Sequence, residues 1–344
     1  RDDAPLLFRL RADPQQWLWG MKFLLECLPG RNRRNILQLV RLGLYSRANL
    51  QALRRQTGIE YHQLERGILH LYTERRDFEV AARTAALMRN LGADRVPKSV
   101  EECVAIEPAL ASARKLIAGG TYAASDESGD AHVFTQRLAT LCAQRGVRFE
   151  YGSPIEKIVA DGDRIAGVQV AGKLARGDAY VVALGSYSPL LLRPLGVRLP
   201  IYPAKGYSVT LPVKDPSAAW TVSLSDESHK LVFARLGERL RIAGTAELTG
   251  YDISINEVRC RAILNRTLEL FPQAGDATRA EFWAGLRPAT PSNVPCIGRT
   301  RYANLFLNTG HGTLGWTHAC GSGRALADIV SGHRPEIDFD FSRA

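Results

Sequence analysis

Two neighbouring runs near the end of the chain decide how the rest is read. They are residues 283–300, WAGLRPATPSNVPCIGRT, and residues 304–332, NLFLNTGHGTLGWTHACGSGRALADIVSG. In the first, Arg287 stands between an apolar lead-in and a turn of Pro, Thr, Ser and Asn. In the second, a short apolar strand over 305–307 meets the turn Gly310-His311-Gly312-Thr313-Leu314-Gly315, and a helix is expected from Trp316 to about Val330, stopped at Ser331-Gly332. Strand, glycine turn and helix together bring backbone N–H groups and a helix N-terminus up to a ligand. A guanidinium a few residues upstream suits a planar carboxylate, which it can grip through two parallel hydrogen bonds. The turn also spells G-x-G-x-x-G. A dinucleotide fingerprint needs a complete βαβ unit and an acid about 20 residues further on. Glu336 stands near that distance, but only a short tail interrupted by Pro335 follows the helix. The glycines are therefore read as serving close packing of the helix or close approach of another ligand. A nicotinamide enzyme built on the same turn is a weaker alternative.

Working outward, 344 residues suffice for a large core and predict two domains. Forty-five Lys and Arg against 35 Asp and Glu give a net charge of +10, which favours anionic surfaces. The basic residues are spread along the chain, and no helix-turn-helix, RNP or zinc-finger signature accompanies them, so nucleic-acid binding is not expected. The six cysteines lie far apart with no C-x-x-C, and the seven histidines do not cluster with them. The pattern predicts reduced thiols, a cytoplasmic setting and no metal.

Along the chain, the first sixty residues read as helical. Trp17, Leu18, Met21, Leu25 and Leu28 recur at near-helical spacing, with Pro29-Gly30 expected to end the run and Arg31, Arg33 and Arg34 following as a basic patch. Such a segment either packs on the protein or lies on a membrane surface; it is too short to span one. A second helix is expected over about 47–56, a strand over 67–73, helices over about 78–91 and 99–106, and a strand over 121–123. Asp130 is a candidate N-cap for a helix over 131–145. Strands are expected at 147–151 and at 179–184, the latter of the buried parallel kind, with a hairpin over 155–170 turning at Asp161-Gly162. From 201 to about 246 the pattern is strand-rich, and a helix over about 255–270 closes that block. The expected organisation is 1–60 as a helical segment, 61–123 and 201–282 as one discontinuous domain, and 124–200 and 283–344 as the other.

These motifs, together with residues 121–158 (TYAASDESGDAHVFTQRLATLCAQRGVRFEYGSPIEKI) and 181–210 (VVALGSYSPLLLRPLGVRLPIYPAKGYSVT), resemble the D-amino-acid-oxidase-like flavoproteins over essentially the whole chain. Within that family the resemblance is strongest to the D-amino acid dehydrogenase small-subunit branch. It implies an α/β plus α+β protein: a Rossmann-like FAD-binding domain, traced discontinuously, with an antiparallel-sheet substrate domain. It matches Arg287 to the arginine that clamps the substrate carboxylate. It places Gly310, His311, Gly312, Thr313, Leu314, Gly315, Trp316 and Thr317 against the flavin, pairs the Ile155 backbone with adenine, and runs the strand ending at Gly185 beneath the cofactor. Several tyrosines are candidates to hydrogen-bond substrate, and Tyr207 is the one the resemblance puts nearest the strand that faces the flavin.

The family pattern begins with a strand, a G-x-G-x-x-G turn and a helix, none of which stands in this sequence, so the FAD-binding domain reads as incomplete. The activity implied is oxidative deamination of D-amino acids such as D-alanine to 2-oxo acids and ammonia. Hydride passes to flavin and the electrons go on to a quinone, with peripheral contact at the inner face of the plasma membrane. A glycine- or sarcosine-type oxidase using oxygen is the rival in the same class. An inert fragment unable to hold FAD is the rival in another.

Overall fold

The computed structural model describes residues 6–9 and 11–343. They fall into two compact units. Unit 1 takes the described part of Arg1–Leu10 with Ile59–Arg137 and Lys205–Gly285; unit 2 takes Arg11–Gly58, Leu138–Ala204 and Leu286–Ala344. The expected break after residue 123 precedes helix Ala131–Gln144, whereas the observed one falls within that helix, between Arg137 and Leu138.

Unit 1 is organised on a nine-stranded sheet. Its central members are Tyr202–Pro212, Arg239–Leu248, Leu231–Leu236 and Ser223–Asp226, paired antiparallel in that order, followed by Ile68–Tyr72, Gly119–Ala123 and Arg95–Lys98. The sheet is mostly antiparallel. Parallel pairs occur between Ser223–Asp226 and Ile68–Tyr72 and between Leu6–Phe8 and Arg239–Leu248. Nearly every residue of Tyr202–Pro212 is buried, because helix Glu257–Leu270 sends Cys260, Ile263 and Leu270 into the same core. Trp220 packs against Phe233 and Phe271 with ring centroids 5.4 and 4.9 Å apart. Large aromatic side chains buried this way stabilise a core by roughly 2–3 kcal/mol each.

Unit 2 holds a four-stranded sheet, Ser342–Arg343, Cys296–Arg299, Leu305–Thr309 and Tyr180–Val182, and a three-stranded one that includes the expected hairpin, Ile155–Asp161 with Arg164–Val170, turning on Gly162 at φ +59°. Two helices follow one another near its start, α1 (Pro14–Glu26) and α2 (Pro29–Thr57). The first run does stop just ahead of Pro29-Gly30, and the pair itself begins the next helix. Proline lacks the N–H that the first helical position leaves unsatisfied, and its ring presets φ. Gly58, in the left-handed region at φ +65°, stops α2. α2 packs on helix Gly315–Val330, and the approach is close. A Cβ at Gly321 would stand 2.8 Å from Ser46 Cα, and the Gly321 N–H donates to Ser46 Oγ at 3.1 Å.

Two expected strands differ. Residues 147–151 form no strand; Val147, Phe149 and Tyr151 are exposed, and nothing among the described residues pairs with them. An alternating pattern becomes a strand only where a neighbour takes its backbone hydrogen bonds. Tyr180–Val182 is a strand but not a fully buried one. It pairs on one side, with Leu305–Thr309, and Val181 remains 47 % exposed. No described helix is long and apolar enough to cross a membrane.

Candidate active site

The parallel strands Tyr180–Val182 and Leu305–Thr309 bring two glycine turns together in unit 2. Thr309 Oγ1 donates to the Gly185 carbonyl at 3.1 Å and lies 2.9 Å from Ser188 Oγ, which ties the two strand ends to each other. Each chain then turns in the left-handed region, at Gly185 (φ +55°) and Gly310 (φ +80°). Gly310 is required by packing as well, because a Cβ there would stand 2.9 Å from Thr290 Cγ2. Gly185 and Gly312 (φ +53°) are different. Beside them a Cβ would meet nothing closer than Pro288 Cγ at 3.8 Å and Ala289 Cα at 4.0 Å, respectively. These two glycines leave backbone bare toward open space.

Arg287 is brought to this place by its strand. Ala289, two residues on and on the same side of the pleat, bridges antiparallel to His311. The strand is also held from elsewhere in the unit. Ser186 Oγ donates to the Leu286 carbonyl at 3.3 Å, and Trp19 Nε1 donates to the Ala289 carbonyl at 2.8 Å. Arg287 is half-buried, and desolvation lowers its pKa from the ordinary arginine value, which still leaves a cation at neutral pH.

Beyond the bridge, Gly312–Leu314 make one 3-10 turn into helix Gly315–Val330, whose N-terminus has no side-chain cap. Its first N–H groups and the positive end of its dipole are available to an acceptor atom. Thr313 and Thr317 are exposed here, with Leu314, Gly315 and Trp316 half-buried. His311 Nε2 lies 3.0 Å from Ser322 Oγ. Burial pushes both His311 and His318 down to about 4, so both rings are neutral at pH 7. Positive potential at this end comes from Arg287 and the helix.

Ile155 opens strand Ile155–Asp161 and is 43 % exposed. With Leu184, Tyr187 and Leu190 it lines an open hollow of ≈ 480 Å³ directly beside Gly185. Ile155, Gly185, the Arg287 strand, His311 and the helix start thus follow one another along a continuous path of neighbours. Bare glycine backbone, an uncapped helix start and an adjoining apolar hollow fit a flat, elongated group with hydrogen-bond acceptors, as FAD is.

Tyr207 requires a correction. It lies in the core of unit 1, 1 % exposed, with its hydroxyl donating to Glu247 Oε2 at 2.5 Å. A covered and committed hydroxyl is not presented to a substrate. Three residues that shape the site escaped the sequence reading: Trp19, Ser186 and Thr309. Each acts through one hydrogen bond to a backbone group a hundred or more residues away, for which local pattern carries no signal.

Residues 14–329 match the profile of the FAD dependent oxidoreductase (DAO) family, and the chain belongs to that family. It is 58 % identical to a D-amino acid dehydrogenase of Dechloromonas aromatica over 348 aligned residues, covering 100 % of this chain and 83 % of that protein. It is 54 % identical to a D-amino acid dehydrogenase of Paramagnetospirillum magneticum, covering 99 % of this chain and 81 % of the other. Among solved structures it is similar to glycine oxidase from Geobacillus kaustophilus, with a TM-score of 0.80 and 25 % identity over 89 % of this chain and 84 % of that one.

Proposed function

We propose that this chain is the catalytic body of an FAD-dependent D-amino acid dehydrogenase. It oxidises D-amino acids to 2-oxo acids and ammonia, and its electrons pass to a quinone. The observation that carries this reading is the bridge between Ala289 and His311, which joins the strand of Arg287 to the bare glycine turn. The similarity to two D-amino acid dehydrogenases supports the substrate class.

Arg287 donates from its N–H groups to the substrate carboxylate, and its half-buried setting strengthens that pairing relative to water. The strand holding it is fixed at Leu286 by Ser186 and at Ala289 by Trp19, so the guanidinium is positioned before substrate arrives. Fixing the carboxylate sets the direction of the Cα–H bond, and such alignment removes several kcal/mol of barrier. When bound, FAD supplies the acceptor for the hydride leaving Cα. As the hydride leaves, the nitrogen lone pair of the neutral amine forms the C=N bond. Water then hydrolyses the released imino acid to the 2-oxo acid and ammonia. Gly312 and Gly315 would let the cofactor approach the backbone, and the uncapped N–H groups at the helix start would hold an acceptor group of it. Ile155 would offer backbone, and Gly185 open space beside its strand end, to hold the adenosine half.

Replacing Arg287 by Ala in the FAD-loaded protein is expected to raise KM for D-alanine and lower kcat, about a hundredfold or more together in kcat/KM, with flavin retained. Unchanged kinetics would remove Arg287 from the substrate site. The likeness to glycine oxidase favours a second reading, direct use of oxygen. Rapid oxygen consumption with D-alanine in the absence of quinone would establish it.

A further inference from the structure

Between Gly310 and Gly312 the turn carries a single side chain, His311. Both glycines stand in the left-handed region, at φ +80° and +53°, and restrain the chain little, whereas His311 is an ordinary right-handed residue at φ −75°. The geometry of the turn passes through it. Its backbone bridges antiparallel to Ala289, two residues beyond Arg287, and its carbonyl accepts from the Leu314 N–H at 3.0 Å, which opens the path into helix Gly315–Val330. The ring reaches back to the buried side of that helix, where Nε2 meets Ser322 Oγ at 3.0 Å. Ser322 stands two turns beyond the helix start, about 10 Å along its axis, so one side-chain bond ties a glycine-flanked turn to the interior of the unit.

The direction of that bond follows from burial. Ser322 is completely buried, and among the described residues its hydroxyl has no partner but His311 Nε2. The ring is neutral at pH 7, with one nitrogen that donates and one that accepts. A proton on Nε2 would leave the serine O–H buried without an acceptor, and a stranded donor is the costlier arrangement. Nε2 therefore accepts, and the proton sits on Nδ1. The anchor is itself held in place: the adjacent Gly321 N–H donates to Ser46 Oγ of α2 at 3.1 Å, in a contact with no room for a Cβ. His318, the other buried histidine of the helix, faces α2 instead, its Nε2 3.9 Å from where a Gly43 Cβ would stand.

We infer that Ser322 is a positioning residue of the candidate site: its hydroxyl holds His311 as the Nδ1–H tautomer and so keeps the glycine turn in register with the strand of Arg287. Without that hydroxyl the turn retains its glycines and its bridge, but the one side chain that restrains it is released. The backbone offered to the cofactor and the arginine strand beside it both lose definition. A ring fixed as a neutral tautomer also leaves the positive potential of the turn to Arg287 and the helix start. The consequence for FAD rests on the flavin site proposed above, whereas the place of the proton does not.

The test begins without cofactor or substrate. The full chain, labelled with nitrogen-15 histidine, is examined at pH 7 by long-range proton–nitrogen NMR, and the His311 signals are identified by their loss in His311→Gln. The wild type should show a protonated Nδ1 and a bare Nε2. Ser322→Ala should move the proton to Nε2 or mix the two forms, and Ser322→Thr, which keeps a hydroxyl, should restore the wild-type pattern. FAD affinity, read by quenching of flavin fluorescence, should fall about fivefold to tenfold in Ser322→Ala and recover in Ser322→Thr, and KM for D-alanine should rise and recover with it. A wild-type proton on Nε2 overturns the inference, as does a Ser322→Ala protein whose FAD affinity and KM stay within about twofold of the wild type. Should Ser322→Ala fail to fold, two other variants decide. His311→Gln sets an amide where Nε2 stands and can keep the bond to Ser322, while His311→Asn reproduces only the Nδ1 end. The glutamine variant must then bind FAD more tightly than the asparagine one, and the opposite order overturns the inference. A chain that behaves as expected with FAD yet does not act on D-alanine would fault the activity proposed above and leave the role of Ser322 standing. One that binds no FAD removes both.

Discussion

The two units treat buried polarity in opposite ways. In unit 1 charged groups are turned on one another. Glu247, 2 % exposed, accepts from Tyr207 and from Arg9 Nε at 2.6 Å, and Lys205 Nζ reaches Asp252 and the Ser254 carbonyl, both at 3.0 Å. Burial raises the Glu247 carboxyl, and the hydrogen bonds from Arg9 and Tyr207 more than offset that, leaving its pKa below the ordinary value. In unit 2 the polar groups at the candidate site are mainly backbone, at Gly185, Gly312 and the uncapped helix start, and they face open space. A unit whose polar groups satisfy each other is built for rigidity. One that leaves donors facing outward is built to have them satisfied by a ligand.

The contrast can be broken first where it is strongest. Glu247→Ala strands the buried Tyr207 hydroxyl, frees the half-exposed Arg9 and leaves Lys205 with Asp252 and the Ser254 carbonyl, and should destabilise the protein by roughly 2–3 kcal/mol. Thermal unfolding would show this as a large fall in Tm. A shift of a degree or less would mean that the network contributes little.

Acid should separate the units next. A histidine held at about 4, against roughly 6.5 when unfolded, binds its proton more readily in the unfolded chain. The stability of unit 2 is therefore complete above pH 6.5 and is lost as pH falls through 4, on the order of 2 kcal/mol. Unit 1 has its marked carboxylate at Glu227. The hydrogen bond from His70 Nδ1, at 2.8 Å, holds it at about 2 against the ordinary 4.5, while burial lowers the His70 pKa and keeps that ring neutral at pH 7. That contribution is intact above pH 4.5 and is lost below. Hydrogen exchange, corrected for its intrinsic pH dependence, should show unit 2 losing protection between pH 6.5 and 4.5 before the Glu227 region does. The reverse order would contradict the assignment.

Gly312→Val sharpens the comparison from the other side. It forces a β-branched residue to φ +53°, at a cost of about 1–2 kcal/mol in stability, and fills the open space beside Ala289. FAD affinity, measured by quenching of flavin fluorescence, should fall by more than that stability loss accounts for. Equal losses would mean that the glycine serves the fold alone. Smallest is Trp19→Phe, which removes the indole N–H from the Ala289 carbonyl and should cost about 1 kcal/mol, with a modest rise in KM for D-alanine. An unaltered KM would detach that bond from substrate positioning.

Much of this was written in local pattern. The helix opening at Ser99, the Asp130 cap, the hairpin at Gly162, and the strand, turn and helix from Leu305 onward all appear where residue types and spacing put them. The failures have a shared cause. Pro29-Gly30 signals a chain reversal or a helix start equally well, and only the helix that follows decides. Residues 147–151 carry a strand pattern that finds no partner, and the strand within 179–184 forms in parallel but lacks the second neighbour that full burial needs; neither outcome is encoded in their own residues. Tyr207 lies on strand Tyr202–Pro212 in the core of unit 1. Its hydroxyl is taken by Glu247, forty residues away, and no spacing announces that contact. The candidate site was legible where backbone conformation dictates glycine and opaque where long-range hydrogen bonds hold it.

The central claim, that Arg287 and the glycine turn of unit 2 serve one bound flavin and its substrate, is tested most directly by anaerobic stopped-flow absorbance. FAD-loaded wild type and Arg287→Ala are each mixed with D-alanine at a single subsaturating concentration, with equal flavin occupancy confirmed beforehand. The wild type should lose its flavin absorbance band rapidly, and the variant should lose it about a hundredfold or more slowly. Equal rates in the two proteins, or a wild type that holds flavin yet keeps its colour with D-alanine, would contradict it.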